Sequence, residues 1–154
     1  MKICFCISAF LALATLFFSC SRQLDKANNK PQGYADSQIV GKWKITGYSS
    51  SDPFDWNNDG RVESNIYNTW TACTKENLYQ FAADKTGLIK IDCNNSIQAT
   101  WDIINSVYLV YTLVGQSPDS EKIISMTSAD FKTSKYVTVS TGQNITLTKV
   151  WTRQ

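Results

Sequence analysis

From Ile39 to the end, the chain is written almost wholly in short segments of strand period, and this limits the fold more than any other feature. Trp43, Ile45 and Gly47 alternate with Lys42, Lys44 and Thr46, the period of two expected of a half-buried strand. Leu78–Phe81 and Leu88–Ile91 flank Asp84-Lys85-Thr86-Gly87, a hairpin turn with a glycine placed to tolerate positive φ. Further strands are expected at Ala99–Ile103, Val107–Val114, Lys122–Thr127, roughly Phe131–Thr133, Tyr136–Ser140 and Ile145–Thr152. Segments recurring every eight to twelve residues or so with short turns imply an antiparallel barrel or sandwich. The stretch Asp52–Thr71 lacks this alternation and is expected to hold a short helical turn. No sustained helical period follows, so helix is minor. The fold class read from the pattern is all-β and antiparallel, with barrel and sandwich as the alternatives.

Ahead of this domain stands MKICFCISAFLALATLFFSC, with Lys2 as a positive n-region and an apolar run over residues 3–18. It is too short and wrongly flanked for a spanning helix and reads as a secretory signal. A small residue directly before Cys20 points to a bacterial lipoprotein, cut after Ser19 and acylated on Cys20; ordinary secretion and a retained anchor are the alternatives. The expected organisation is signal peptide 1–19, lipidated flexible tether 20–37 and barrel domain 38–154. Residues 21–37 are polar, contain Pro31 and Gly33, and show no periodicity. The expected location is the cell envelope, anchored to the outer membrane. No acidic run follows Cys20, which favours the periplasmic face.

Losing Lys2 with the signal takes the 15 Lys and Arg to 14, against 13 Asp and Glu. So nearly neutral a domain gives no electrostatic case for nucleic acid. Cys4 and Cys6 leave with the signal and Cys20 takes lipid, which leaves Cys73 and Cys93 as one pair in an oxidising compartment. Cys73 precedes the first strand of the hairpin and Cys93 follows the second, so antiparallel pairing draws them together. A disulfide is expected; two buried thiols are the alternative.

The sharpest local motif is Asp55-Trp56-Asn57-Asn58-Asp59-Gly60-Arg61-Val62-Glu63. D-x-N-x-D-G sets three side-chain oxygens on alternate residues around a turn, the arrangement that can hold calcium. Asp55, Asn57 and Asp59, the Arg61 carbonyl and Glu63 form the candidate ligand set. Ile66 stands where an EF-hand has its bidentate glutamate, so an EF-hand is excluded. A loop held by Asx turns alone is the other reading. Catalysis is poorly served. The chain has no histidine, which removes the Ser-His-Asp and Cys-His mechanisms. Most of Asp84, Asp92, Asp102 and Glu121 are expected on turns or outward strand positions, as solvated surface. The protein is read as a non-enzyme.

Two motifs carry a resemblance. Gly41-Lys42-Trp43 opens the first strand, and Cys73-Thr74-Lys75-Glu76-Asn77 leads into the hairpin before Ala99-Thr100-Trp101. In that order, over residues 38–152, the chain resembles the lipocalin-like domain of many Bacteroidetes lipoproteins. The resemblance implies an all-β fold closed as an antiparallel up-and-down (lipocalin-like) barrel of about eight strands. It implies binding of a small apolar ligand in that barrel, with Trp43, Trp101, Leu109 and Tyr111 lining it. It also implies that Arg153 caps Trp43 by a cation–π contact. The domain is shorter than a full lipocalin, and Lys149 interrupts the inward set Ile145, Leu147, Trp151, which argues against a large cavity. The rival function is an interaction module, a filled barrel docking an envelope protein or a glycan through residues 52–71, where Trp56 and Trp70 are the candidate exposed contacts.

Overall fold

A computed structural model describes residues 33–91, 93 and 95–154. The signal segment, Cys20, most of the expected tether and Asp92 lie outside the described residues.

Eight strands close into one antiparallel up-and-down barrel: β1 Gly41–Ser50, β2 Leu78–Phe81, β3 Thr86–Ile91, β4 Asn95–Ile104, β5 Tyr108–Leu113, β6 Asp119–Met126, β7 Asp130–Thr138 and β8 Asn144–Arg153. Each strand pairs with its sequence neighbour, and β8 returns to β1 with Trp43 opposite Arg153 and Tyr48 opposite Lys149. Closure leaves no sheet edge to solvent. The helices have four residues each: α1 Asp36–Ile39 before the barrel, and α2 Ile66–Thr69 and α3 Ala72–Lys75 between β1 and β2.

Three details differ from the sequence reading. Phe131–Thr133 and Tyr136–Ser140 are not two strands; β7 runs through both as one. In the β2–β3 turn it is Lys85, not the glycine, that takes positive φ (69°), while Gly87 sits inside β3. Asp84 stabilises that turn by accepting from the Thr86 amide at 3.0 Å and from its hydroxyl at 2.6 Å. Third, the pairing of β1 with β8 shifts between Ile45 and Gly47. Trp43 and Ile45 face inward as expected, but Gly47 does not: a Cβ there would meet the Val150 side chain at 3.1 Å on the outside. Such a bulge switches which residues point to the core. It is how Tyr48 comes to line the barrel interior.

One end of the barrel is packed solid. Trp43, Phe131 and Trp151 are fully buried, with Trp43 edge-on to Phe131 at 4.7 Å and Phe131 stacked on Trp151 at 5.2 Å. Ile39 of α1 plugs this end, and its carbonyl accepts from Trp43 Nε1 at 2.6 Å. The residues just before α1, assigned from sequence to the tether, are seated on the barrel: the Tyr34 amide donates to the Ser106 carbonyl at 2.7 Å. Arg153 lies 4.2 Å from the Trp43 ring centroid and donates to the carbonyls of Val40, Gln38 and Ser128, so it caps Trp43 and ties the α1–β1 entry and the β6–β7 turn to the end of β8. Gly41 has φ +142°, and a Cβ there would stand 2.4 Å from Arg153 Nη1. The glycine of G-x-W is thus required both by its backbone conformation and by the close approach of the arginine.

Candidate functional site

The opposite end is shaped differently. It is bounded by the ends of β1, β3, β5 and β7, the starts of β2, β4, β6 and β8, and the long segment between β1 and β2. Two crevices enter there. One, about 200 Å³, is lined by Tyr79, Ile89, Ile91, Tyr111, Leu113, Gln116, Ser117 and Asp119. The other, about 100 Å³, is lined by Tyr48, Asp119, Glu121, Lys135, Val137, Leu147 and Lys149. Asp119 stands in both walls. A larger depression of about 630 Å³ lies over β2–β5 and is lined by uncharged residues, among them Gln80, Leu88, Gln98 and Thr112. It gathers no titratable groups and is not the better candidate.

Beneath the mouth lies an ionic cluster inside the barrel. Glu121 is 2% exposed and accepts from the Lys149 ammonium and the Thr133 hydroxyl, with the Tyr111 hydroxyl at 3.2 Å. Thr133 in turn accepts from Trp151 Nε1 at 2.9 Å. The Tyr111 hydroxyl is also 3.0 Å from Asp119 Oδ2 and accepts from Lys149 at 3.1 Å. Lys135 donates to Asp119 Oδ1 at 2.5 Å. Lys149 Nζ lies 5.6–5.8 Å from the ring centroids of Tyr48, Tyr111 and Trp151, within reach of their negative faces. Two acids and two lysines therefore balance, and the site is polar without net charge.

The surroundings move the titration of several groups. Burial, then the charges of Glu121 and Asp119, push the Tyr48 phenol up to about 12. Burial and the same two carboxylates push Tyr79 and Tyr111 up as well. These hydroxyls thus stay protonated, and that of Tyr111 donates within the cluster. Burial alone would raise the Asp119 carboxyl; the Lys135 hydrogen bond, the Lys149 charge and the Tyr111 hydroxyl outweigh it and hold the group below its ordinary value.

The β1–β2 segment lies over one side of the mouth. Its α2 and α3 are single turns that cannot stand alone, so tertiary contacts hold them. Ile66 is 1% exposed, Trp70 packs on Tyr48 at 5.6 Å and on Tyr67 at 5.4 Å, and Lys75 sits over the Tyr67 ring. Asn65 and Thr71 cap the two turns through their side-chain oxygens. The disulfide Cys73–Cys93 fastens α3 to the β3–β4 connection.

Within the same segment, Asp55 to Arg61 forms a chain of Asx turns. Asp55 Oδ1 accepts from the Asp59 amide at 3.0 Å and Oδ2 from the Gly60 amide at 2.9 Å. Asn57 Oδ1 shares the Asp59 amide at 3.3 Å, and Asp59 Oδ1 accepts from the Arg61 amide at 2.9 Å. The Asn57 amide and the Arg61 backbone N–H hold the Asp59 carboxyl below its ordinary value. Glu63 is not drawn into this turn; it forms an isolated bridge with Phe54 and leaves Oε2 buried without a hydrogen-bond partner, as is Trp56 Nε1. Among the described residues no three Asp, Glu or Cys side chains converge as a metal-binding group.

Of the four residues expected to line a ligand cavity, Tyr111 stands in a crevice wall. Trp43, Trp101 and Leu109 are buried in the core cluster, Trp101 with its Nε1 bonded to the Ala82 carbonyl at 2.9 Å and Lys85 over its ring. Trp70 is turned onto Tyr48 rather than outward. Glu121 departs from the surface position expected of most of the acids, because it lies inside the barrel. Asp84 and Asp102 are outward as expected, Asp102 pairing with Lys85 at 2.8 Å. Sequence reading missed Tyr48, Tyr79 and Lys135 as mouth residues and Thr133 as a buried partner of Glu121 beneath them. The only signal for Glu121 was indirect: a lysine in an inward series calls for an acid on some other inward series, and Asp119-x-Glu121-x-Ile123 on β6, one strand removed from β8, holds one.

No family model and no curated protein matches the chain. Among solved structures, it resembles a bovine odorant-binding protein in complex with a selenium-containing odorant, with 11% identity, a TM-score of 0.44, and coverage of 78% of this chain and 73% of that one. The same bovine protein with its natural ligand gives 12% identity, a TM-score of 0.44, and coverage of 77% and 72%. Another odorant-binding protein gives 8% identity, a TM-score of 0.44, and coverage of 79% and 75%. Likeness at this level carries no argument, and the fold class rests on the eight-stranded up-and-down closure itself.

Proposed function

We propose that this protein is a non-enzymatic binding protein that takes a small, largely apolar molecule at the open end of its barrel, held at the envelope membrane through an acylated Cys20. The observation that carries the binding reading is the asymmetry of the barrel interior. One end is sealed by α1, Trp43 and Arg153, while the other admits two crevices that join an apolar wall to hydrogen-bonding groups. Apolar lining with a few polar groups is the usual composition of a small-molecule site. At about 200 Å³ the larger crevice suits a compact ligand. The full chain, purified in detergent with detergent-only blanks, is expected to change its tryptophan fluorescence on titration with 1-hexanol, because Trp151 lies 4.8 Å from Tyr79 in the crevice wall. Leu113→Phe, which fills the crevice, is expected to abolish the response. A flat titration of the folded wild-type protein overturns the reading and favours the filled docking module.

The anchor rests on residues 1–20 of the sequence alone. Intact-mass measurement of protein extracted from its native membrane is expected to show loss of residues 1–19 and a gain of acyl mass, both absent in Cys20→Ser. An unprocessed or unacylated wild-type chain rejects it.

The Asx-turn loop is proposed as a weak calcium site. Asp55 Oδ1 and Asn57 Oδ1 face the same amide, so they lie on one side of the turn, and each oxygen keeps a lone pair beyond its hydrogen bond. With few carboxylates and no bidentate twelfth ligand, the expected Kd is on the order of a millimolar. Calorimetry should show heat with calcium that vanishes in Asp55→Ala; no heat at millimolar calcium rejects the site.

A further inference from the structure

The wall of the larger crevice holds a single group that carries charge at neutral pH. Ile89, Ile91, Leu113 and the rings of Tyr79 and Tyr111 make it apolar and aromatic, and Asp119 is its one carboxylate; Lys135 and Lys149 line the neighbouring crevice instead. We propose, building on the mouth as the binding site, that the ligand class is a small primary amine on a compact apolar body, its ammonium seated on Asp119 and against the Tyr79 and Tyr111 rings.

The existing contacts show how such a head enters. Asp119 Oδ1 is held by Lys135, whose side chain is 43% exposed and can return to water. An incoming ammonium therefore replaces an ammonium, and the balance of two acids and two bases around the cluster is kept. Asp119 Oδ2 is within 3.0 Å of the Tyr111 hydroxyl, but that hydroxyl has one proton and also reaches Glu121 Oε1 at 3.2 Å. When the ligand takes Asp119, Tyr111 keeps a buried acceptor in Glu121, so no donor is left stranded. The ring faces add a favourable quadrupole for a cation and none for an anion. A carboxylate head in the same position would meet Asp119 as a like charge. An alcohol could hydrogen-bond there, but without the added strength of a charged donor.

Calorimetry on the full chain in detergent, with hexylamine, 1-hexanol and hexanoate as probes, tests this. Hexylamine is expected to bind about tenfold more tightly than 1-hexanol, the usual gap between charged and neutral hydrogen bonds, and hexanoate most weakly. In Asp119→Asn the gap between amine and alcohol should close to about twofold, with hexanol binding retained. Lys135→Met, which removes the competing ammonium, should raise hexylamine affinity several-fold and keeps the inference testable should the asparagine variant fail to fold. Equal binding of amine and alcohol by the wild type overturns the amine assignment and leaves the mouth as the site. Amine preference that survives in folded Asp119→Asn, or no gain in Lys135→Met, overturns the role of Asp119. If none of the three binds, the mouth reading itself falls and this inference with it.

Discussion

Glu121→Ala is expected to destabilise the barrel by about 3–5 kcal/mol, the cost of breaking a buried ion pair from one side. For a domain of this size that lowers Tm by roughly 10–20 °C. The alanine removes the acceptor of three donors at once: the Lys149 ammonium and the hydroxyls of Thr133 and Tyr111. Lys149, only 16% exposed, is then left among the rings of Tyr48, Tyr111 and Trp151 without its counter-ion. Those rings weakly favour a cation but cannot replace a carboxylate. The loss therefore belongs to the orphaned charge, and the double variant Glu121→Leu with Lys149→Met identifies it. Replacing both partners by apolar residues of similar volume removes the charge problem, so the double variant should recover to wild-type stability or exceed it by a few kcal/mol. Urea unfolding of wild type, Glu121→Ala and the double variant is the measurement. A Glu121→Ala variant within about 1 kcal/mol of wild type would show that water reaches the pair, and the cluster would then be no part of the barrel's interior.

That cluster also shows where the sequence was readable and where it was not. Most of the strands and the β2–β3 hairpin were legible because a period of two needs only neighbouring residues to be seen, whereas closure into a barrel came through resemblance. Trp43 with Arg153 was legible through resemblance, and the structure adds why Gly41 must precede them: the guanidinium occupies the space of a Cβ. Register across strands was not legible. Lys149 was visible as an intruder in an inward series, yet its partner lies 28 residues away on β6, reached only through β7. Nor was the shift between Ile45 and Gly47, since nothing in Thr46-Gly47-Tyr48 announces which residue is the extra one. That single slip moves Tyr48 inside, and with it one wall of the mouth. The apolar residues named for a cavity are core for a related reason. Alternation tells which face a side chain takes but not how far along the barrel the packing is solid, and Trp43, Trp101 and Leu109 fall in the solid part.

Removing the Cys73–Cys93 bridge is expected to be the second large perturbation. The bridge closes a 20-residue separation, for which the chain-entropy argument gives about 3 kcal/mol. In Cys73→Ser with Cys93→Ser, Tm should fall by roughly 10 °C. The structure predicts where the loss is felt first. The β2–β3 hairpin inside the bridged loop has its own register, from Leu78–Lys90 to Phe81–Gly87, and does not need the bridge to pair. The segment between β1 and β2 does. Its two single-turn helices keep Ile66, the Trp70 stack on Tyr48, their caps and the Lys44–Glu76 ion pair, and an ion pair with Glu76 64% exposed adds little. Limited proteolysis under native conditions should therefore cut the double-serine variant within residues 51–77 well before the barrel strands, while wild type resists. Because Trp70 covers Tyr48 at the mouth, the same variant should exchange 1-hexanol faster in both directions, with koff raised more than affinity is lowered. Cleavage that begins in the strands, or equal resistance of the two proteins, would mean that the bridge braces the barrel as a whole and that the segment over the mouth is held by its packing alone.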